Sequence, residues 1–194
     1  MRRRGSGWHG ESHRHRLSAY GIKTDIVYRG TTAGSSQNFK SRYRPQEQLG
    51  FGIHFTESKE LADMYAFDKK IARRGKEPYV HHAILHMENP LIANKIYFEG
   101  EPEFKLAEEL IKGTGYRLNA MKDERGIRGL YLQNYIDMTS PQRAEMIIKE
   151  HEYDGVIYNA RLIEPDVYTA KLIDEAESYI VFEPEQIEII GGHE

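Results

Sequence analysis

The chain contains no cysteine in its 194 residues. That excludes disulfides, thiolate zinc sites and a cysteine nucleophile, and it suits a cytoplasmic setting, where thiols stay reduced. No apolar run approaches the roughly 18 residues of a membrane span, so no membrane association is expected. The Arg-rich start has no apolar segment behind it and does not read as a secretory signal. There is no H-E-x-x-H pair and no Walker A lysine. Gly50-Phe51-Gly52 lacks the third glycine of a dinucleotide fingerprint, so neither a P-loop nor a Rossmann site is supported. Tryptophan occurs once, as Trp8, and the formal net charge is a modest −3.

The length fits one domain with an appendage, large enough to bury roughly 70% of its unfolded surface without staples. The appendage is basic: Arg2, Arg3, Arg4, Arg14 and Arg16, with three histidines, stand against one acid, Glu11. Such an arm can touch phosphate backbones, although a solvated tail is the plainer reading. We therefore divide the chain into an arm, residues 1–23, and a domain, residues 24–194.

Periodicity and punctuation place the elements. Thr24–Arg29 reads as a strand ended by Gly30, and Ile53–Phe55 as another. Thr56 or Ser58 can cap a helix over Lys59–Arg73. Tyr79–Met87 alternates as a strand, with Val80, Ala83 or Ile84 inward. Glu103–Lys112 carries Phe104, Ala107 and Ile111 on one helical stripe, and Gly113-Thr114-Gly115 reads as its end. Residues 113–139 are ambiguous. Pro141 after Ser140 opens a helix to His151. Val156–Asn159, Ser178–Phe182 and Gln186–Ile190 close the list as strands. Many short strands with interspersed helices make an α+β domain.

Single residues have ordinary readings. His81, His82 and His86 share one strand and divide between its faces, which suits structural roles, and no metal is expected. Tyr65 on an amphipathic helix is usually a core tyrosine. Arg29 before Gly30 is usually a surface residue at a turn. Glu177, in an acidic run, is most simply a solvated carboxylate, and His54 a satisfied core histidine.

The order of the motifs changes those readings. Val27-Tyr28-Arg29-Gly30-Thr31 ends one strand. Gly52-Ile53-His54-Phe55-Thr56 enters a helix, with Tyr65 ten residues after Phe55. Tyr153-Asp154-Gly155 and Ser178-Tyr179-Ile180-Val181-Phe182 follow. The set resembles the ADP-ribosyltransferase superfamily. It is similar to the catalytic core of poly(ADP-ribose) polymerases and to the transferase-like domains of phage polyvalent and capsid-associated proteins, over about residues 24–190.

The resemblance implies a split β-sheet core with flanking helices, and NAD as substrate. It implies that the backbone of Gly30 grips the nicotinamide carboxamide, a close approach that needs no Cβ. It implies that Tyr65 stacks on the ring and that His54 forms the opposite wall. Arg29 would orient ribose or phosphate oxygens by charge-assisted bonds, with Thr31 and Thr56 at the rim. Arg29, Tyr65 and Glu177 would carry the chemistry. The family's usual glutamate at the start of the C-terminal strand aligns with Ser178. Glu177, one residue earlier, would face the other way in a regular strand, and Glu175 is a further candidate acid. The expected function is mono-ADP-ribosylation of a macromolecular acceptor, as a phage or mobile-element effector in the host cytosol. The alternative is an inactive module of the same fold that binds a nucleotide or a protein.

Overall fold

A computed structural model describes residues 21–40, 43, 49–67, 77–160 and 176–194. The described strands are β1 (Ile22–Lys23), β2 (Val27–Thr31), β3 (Ile53–Thr56), β4 (Tyr79–Met87), β5 (Pro90–Ile92), β6 (Ile96–Phe98), β7 (Met121–Lys122), β8 (Arg128–Tyr131), β9 (Gly155–Asn159), β10 (Glu177–Val181) and β11 (Ile187–His193). The helices are α1 (Lys59–Phe67), α2 (Pro102–Ile111), α3 (Leu132–Asp137) and α4 (Pro141–Glu150). A short 3₁₀ turn, Pro184–Gln186, precedes β11.

The main sheet falls into two halves. In one, β4 is flanked by β11 on one side and by β1 and β2 in succession on the other. In the second, the order is β3-β10-β9-β5, antiparallel except for the parallel β9–β5 pair. A single bridge, Tyr28 opposite Thr56, joins β2 to β3. This is the expected α+β architecture with a split sheet. A separate three-stranded sheet, β6-β8-β7, lies beside α2, where the Arg128 guanidinium sits 5.6 Å from the Phe104 ring centre.

One face of both halves closes into a shared core of Val27, Ala83, Leu85, Ile53, Phe55, Tyr179, Val181 and Ile157. The other face carries the helices. Ala62 and Ala66 of α1 pack on Val80 and Tyr28, while α2, α3 and α4 pack on Val156, Tyr158 and Ile180. With both faces covered, β4 buries Val80 and His81 as well as Ala83, and Ile84 stays half-buried, so simple alternation fails there.

Other expectations shift locally. The strand expected over Thr24–Arg29 is interrupted. The Thr24 hydroxyl accepts the Leu85 N–H at 2.9 Å and its own N–H donates to the Leu85 carbonyl, so a side chain carries the step between β1 and β2. The cap of α1 is Ser58, whose hydroxyl accepts the Leu61 N–H at 3.0 Å; Thr56 instead accepts the Ser58 N–H. The helix runs to Phe67, and the remainder of its expected length lies outside the described residues. The ambiguous stretch holds β7, β8 and α3. β1 lies at Ile22–Lys23, on the arm side of the boundary drawn at residue 24.

Candidate functional site

The site grows from the split. Tyr28, Thr56, Ser178 and Tyr158 form one cross-strand row over β2, β3, β10 and β9. Directly opposed residues present their side chains to the same face. Ser178 therefore shares the helix-bearing face with Thr56, Tyr158 and, two residues along β3, His54.

α1 closes one side, and Gly30 sets how closely. A Cβ on Gly30 would sit 1.9 Å from the Ala62 carbonyl oxygen and 2.9 Å from the Tyr65 Cβ. Only a bare Cα admits the helix backbone here. The close approach carries Tyr65 beside the end of β2 with its side chain 42% exposed, an aromatic surface open to solvent next to a glycine. Gly52 answers a different demand: at φ +72, a Cβ would lie 2.2 Å from the Ile180 Cγ2.

The polar groups on this face are linked. His54 Nε2 lies 2.8 Å from the Phe51 carbonyl oxygen, which can only accept, so Nε2 carries the proton. In the neutral ring Nδ1 is then an acceptor, and the Tyr158 hydroxyl donates to it at 2.9 Å. Ser178 stands directly opposite Tyr158 across the β9–β10 ladder. Burial pushes the Tyr158 pKa far up, with smaller contributions from the nearby Tyr65 and Asp137, so the phenol stays protonated. The result is a fixed pair, Tyr158 donating to His54, with Ser178 opposite Tyr158 on the neighbouring strand. Arg29 crosses the split: its Nη1 donates to the His54 carbonyl at 2.8 Å, past the single bridge where β2 and β3 no longer exchange ladder bonds.

Glu177 lies on the other face of β10. Its carboxylate accepts from the Asn94 amide at 3.2 Å and lies 3.4 Å from the Tyr179 hydroxyl. That hydroxyl also lies 2.6 Å from a Glu57 oxygen. One phenolic proton serves two carboxylates, and the shorter distance assigns it to Glu57. Burial first, then the bond to Glu57, raise the Tyr179 pKa. The two acids are tied through the backbone as well, since the Glu57 N–H donates to the Glu177 carbonyl at 3.0 Å.

The structure thus places Gly30, His54, Thr56, Tyr65 and Ser178 on or beside the helix-bearing face, while Arg29, opposite His81 of β4, starts from the other face of β2 and reaches the His54 carbonyl across the split. Thr31 ends β2 half-buried, its hydroxyl accepting the Ala33 N–H at 3.1 Å. Glu177 faces away from this group, and Glu175 lies outside the described residues, as does the arm up to residue 20. Tyr158, Asp137, Glu57 and Tyr179 are additions that the motifs did not supply. Tyr158 sits in the Tyr153–Asn159 block, but its role depends on which strands flank β9.

The histidines of β4 take separate partners. His82 meets His193 at 3.0 Å, and His193 meets Asp63 of α1 at 3.0 Å. His86 pairs with Glu188 at 2.9 Å. His81 is 1% exposed between the rings of Phe39 and Tyr79, and burial first, then Arg29, lowers its pKa. Among the described residues, no group of three or more His, Asp or Glu side chains is placed to hold a metal ion. No helix in the described residues is long and apolar enough to cross a membrane.

No curated protein and no solved structure matches the chain. The family model described as the ADP-ribosyltransferase in polyvalent proteins does match, over residues 23–194. That span holds β2 to β11, the split, and Ser178, Tyr158 and His54. The chain belongs to the ADP-ribosyltransferase family found in polyvalent proteins.

Proposed function

We propose that this domain is a mono-ADP-ribosyltransferase that takes NAD at the helix-bearing face between α1 and β10, the trough of this reading, and passes ADP-ribose to a macromolecular acceptor. In this reading it works as a phage or mobile-element effector in the host cytosol. The observation that carries the proposal is the juxtaposition of Gly30 and the exposed ring of Tyr65 on the face that also holds the bonded Tyr158–His54 pair.

The Gly30 backbone would bind the carboxamide, Tyr65 would stack on the ring and His54 would wall the other side. His54 is suited to that, because both of its ring nitrogens are already engaged and its plane is fixed. Arg29 and Ser178 would hold the ribose or phosphate oxygens. In the reaction nicotinamide leaves with the electron pair of its bond to ribose. The acceptor's nucleophile attacks the ribose carbon, and its proton passes to a base. Catalysis would come chiefly from preorganisation, since the groups facing the trough are held by hydrogen bonds before substrate arrives. Glu177 is the acid assigned to the ribose in this reading, and its carboxylate must leave the Asn94 amide on the opposite face of β10 to take that part.

One observation favours the second reading, a silent module that binds a nucleotide or protein. The residue of β10 that faces the trough is a serine, and the neighbouring carboxylate turns the other way. Incubation with labelled NAD and a cell lysate separates the two. The transferase reading expects label on a macromolecule, lost in Arg29→Ala and Tyr65→Ala. Retained NAD binding without transfer or nicotinamide release would establish the silent module instead.

A further inference from the structure

Helix α1 is gripped on two flanks. On one, Tyr65 meets Gly30 at the end of β2. On the other stand Asp63 and Phe67, four residues apart and so on one side of the helix. His193 of β11 sits against both: its Nε2 lies 3.0 Å from an Asp63 carboxylate oxygen, and its ring stacks on Phe67 at 6.3 Å between centres. His193 Nδ1 in turn lies 3.0 Å from Nε2 of His82 on β4, and His82 stands edge-on to the Tyr28 ring. The second Asp63 oxygen takes the Lys59 ammonium at 2.9 Å. One hydrogen-bonded chain, Asp63–His193–His82, therefore ties α1 to β11 and β4. None of its three side chains belongs to the set assigned to NAD.

The number of protons on this chain decides whether it closes. An ionised carboxylate can only accept, so His193 Nε2 carries a hydrogen. While His193 is neutral its Nδ1 accepts, and His82 Nε2 donates. With one added proton on His193, Nδ1 donates and His82 Nε2 accepts. With both rings charged, both facing nitrogens carry hydrogen and the bond cannot form. The titratable groups facing His82 among the described residues are His193 of β11, Lys59 and Asp63 of α1, and Tyr28 of β2. Burial first, then His193 and Lys59, hold the His82 pKa below its ordinary value, so the second proton arrives only on acidification.

We propose that His193 is a positioning residue: through Asp63 it holds α1, and with it Tyr65, against β2, and the hold is released when His82 and His193 are both protonated. The proposal rests on the reading of Tyr65 as the residue that stacks on nicotinamide.

Hydrogen exchange on the full chain, expressed as protection so that the intrinsic pH dependence cancels, reads the hold without any ligand. In the wild type, protection of the α1 amides should stay level from pH 7.5 to about 6.5 and then fall roughly two- to tenfold towards pH 5, more than that of β9 and β10. His193→Ala should show the lowered α1 protection already at pH 7.5, with a flattened curve. His82→Gln keeps a bond to His193 through an uncharged amide, so its α1 protection should stay high towards pH 5. Melting curves confirm that each variant is folded, and NAD affinity should track α1 protection across the three proteins. Equal α1 protection in the wild type and His193→Ala overturns the proposal, as does an acid decline that His82→Gln leaves unchanged. An NAD affinity that Tyr65→Ala weakens and His193→Ala does not overturns the positioning of Tyr65. A folded wild type that binds no NAD at any pH overturns the functional reading, and with it the part given to Tyr65, while exchange still decides whether His193 holds α1.

Discussion

The two faces of β10 carry opposite chemistry one residue apart. Ser178 lies buried on the helix-bearing face with Tyr158 and His54, among uncharged hydroxyls and an imidazole. Glu177 looks to the far side, where Glu57 and Tyr179 meet it in a pair of carboxylates sharing one phenolic proton. In a strand, successive residues are committed to different faces, so the acid and the aromatic stack are separated by geometry although adjacent in sequence. The contrast teaches that the hydroxyl–imidazole face and the carboxylate face of β10 can be perturbed independently. Substitutions on the two faces should have separable effects.

The largest effect is expected on the trough side. Gly30→Ala drives a methyl group into the Ala62 carbonyl, so α1 must move; urea unfolding should show a loss of about 2–3 kcal/mol, as overpacking commonly costs. A loss within the scatter of surface substitutions would mean that α1 does not pack as described. Next, Tyr158→Phe removes a buried hydroxyl and strands His54 Nδ1; thermal melting should register about 1–3 kcal/mol. The matching change on the other face, Tyr179→Phe, should cost about 1 kcal/mol or less, because half-buried Glu57 and Glu177 can turn to water. If Tyr179→Phe proves the more damaging of the two, the ranking of the faces is wrong.

A pH series sharpens the comparison. The folded-state pKa of His81 lies below its ordinary 6.5, mainly through burial. Above about 6.5 neither the folded nor the unfolded state binds the proton. Below it the unfolded chain does and the folded one resists, so stability falls as the pH drops from near 6.5 towards the lowered folded value. His82, with its pKa lowered in the same direction, adds to the same limb. Melting temperatures from pH 7.5 to 5 should decline in the wild type and decline less in His81→Gln. An unchanged slope would remove His81 from the account.

The individual elements were legible because they carry local signals: Tyr79–Met87 is a nine-residue run rich in β-formers, and Pro141 marks a helix start. The split of the sheet, and the parts given to Gly30 and to the Phe55–Tyr65 interval, came from the family resemblance, because pairing between distant strands leaves no local trace. The stretch over residues 113–139 was not legible. α3 is six residues long with Leu132, Gln133, Tyr135 and Ile136 all buried, too short for periodicity and held by the tertiary bond from the Gln133 amide to the Asn159 carbonyl at 2.7 Å. Tyr158, Glu57 and Tyr179 were missed because their partners are set by register: Tyr158 meets Ser178 only once β9 pairs with β10, and Glu57 meets Tyr179 only once β3 does. The relative aim of Ser178 and Glu177, by contrast, followed from strand alternation alone.

Tyr65 lies at the small end of the stability scale and at the centre of the functional claim. Its ring is half-exposed, so Tyr65→Ala should change stability by no more than about 0.5 kcal/mol, leaving ligand affinity as a clean readout. Titration calorimetry with NAD tests the trough directly. The account predicts saturable binding to the wild type, weakened in Tyr65→Ala by about 0.5–1.5 kcal/mol, roughly two- to tenfold in Kd. No binding to the folded wild type, or identical affinity in the variant, would contradict it.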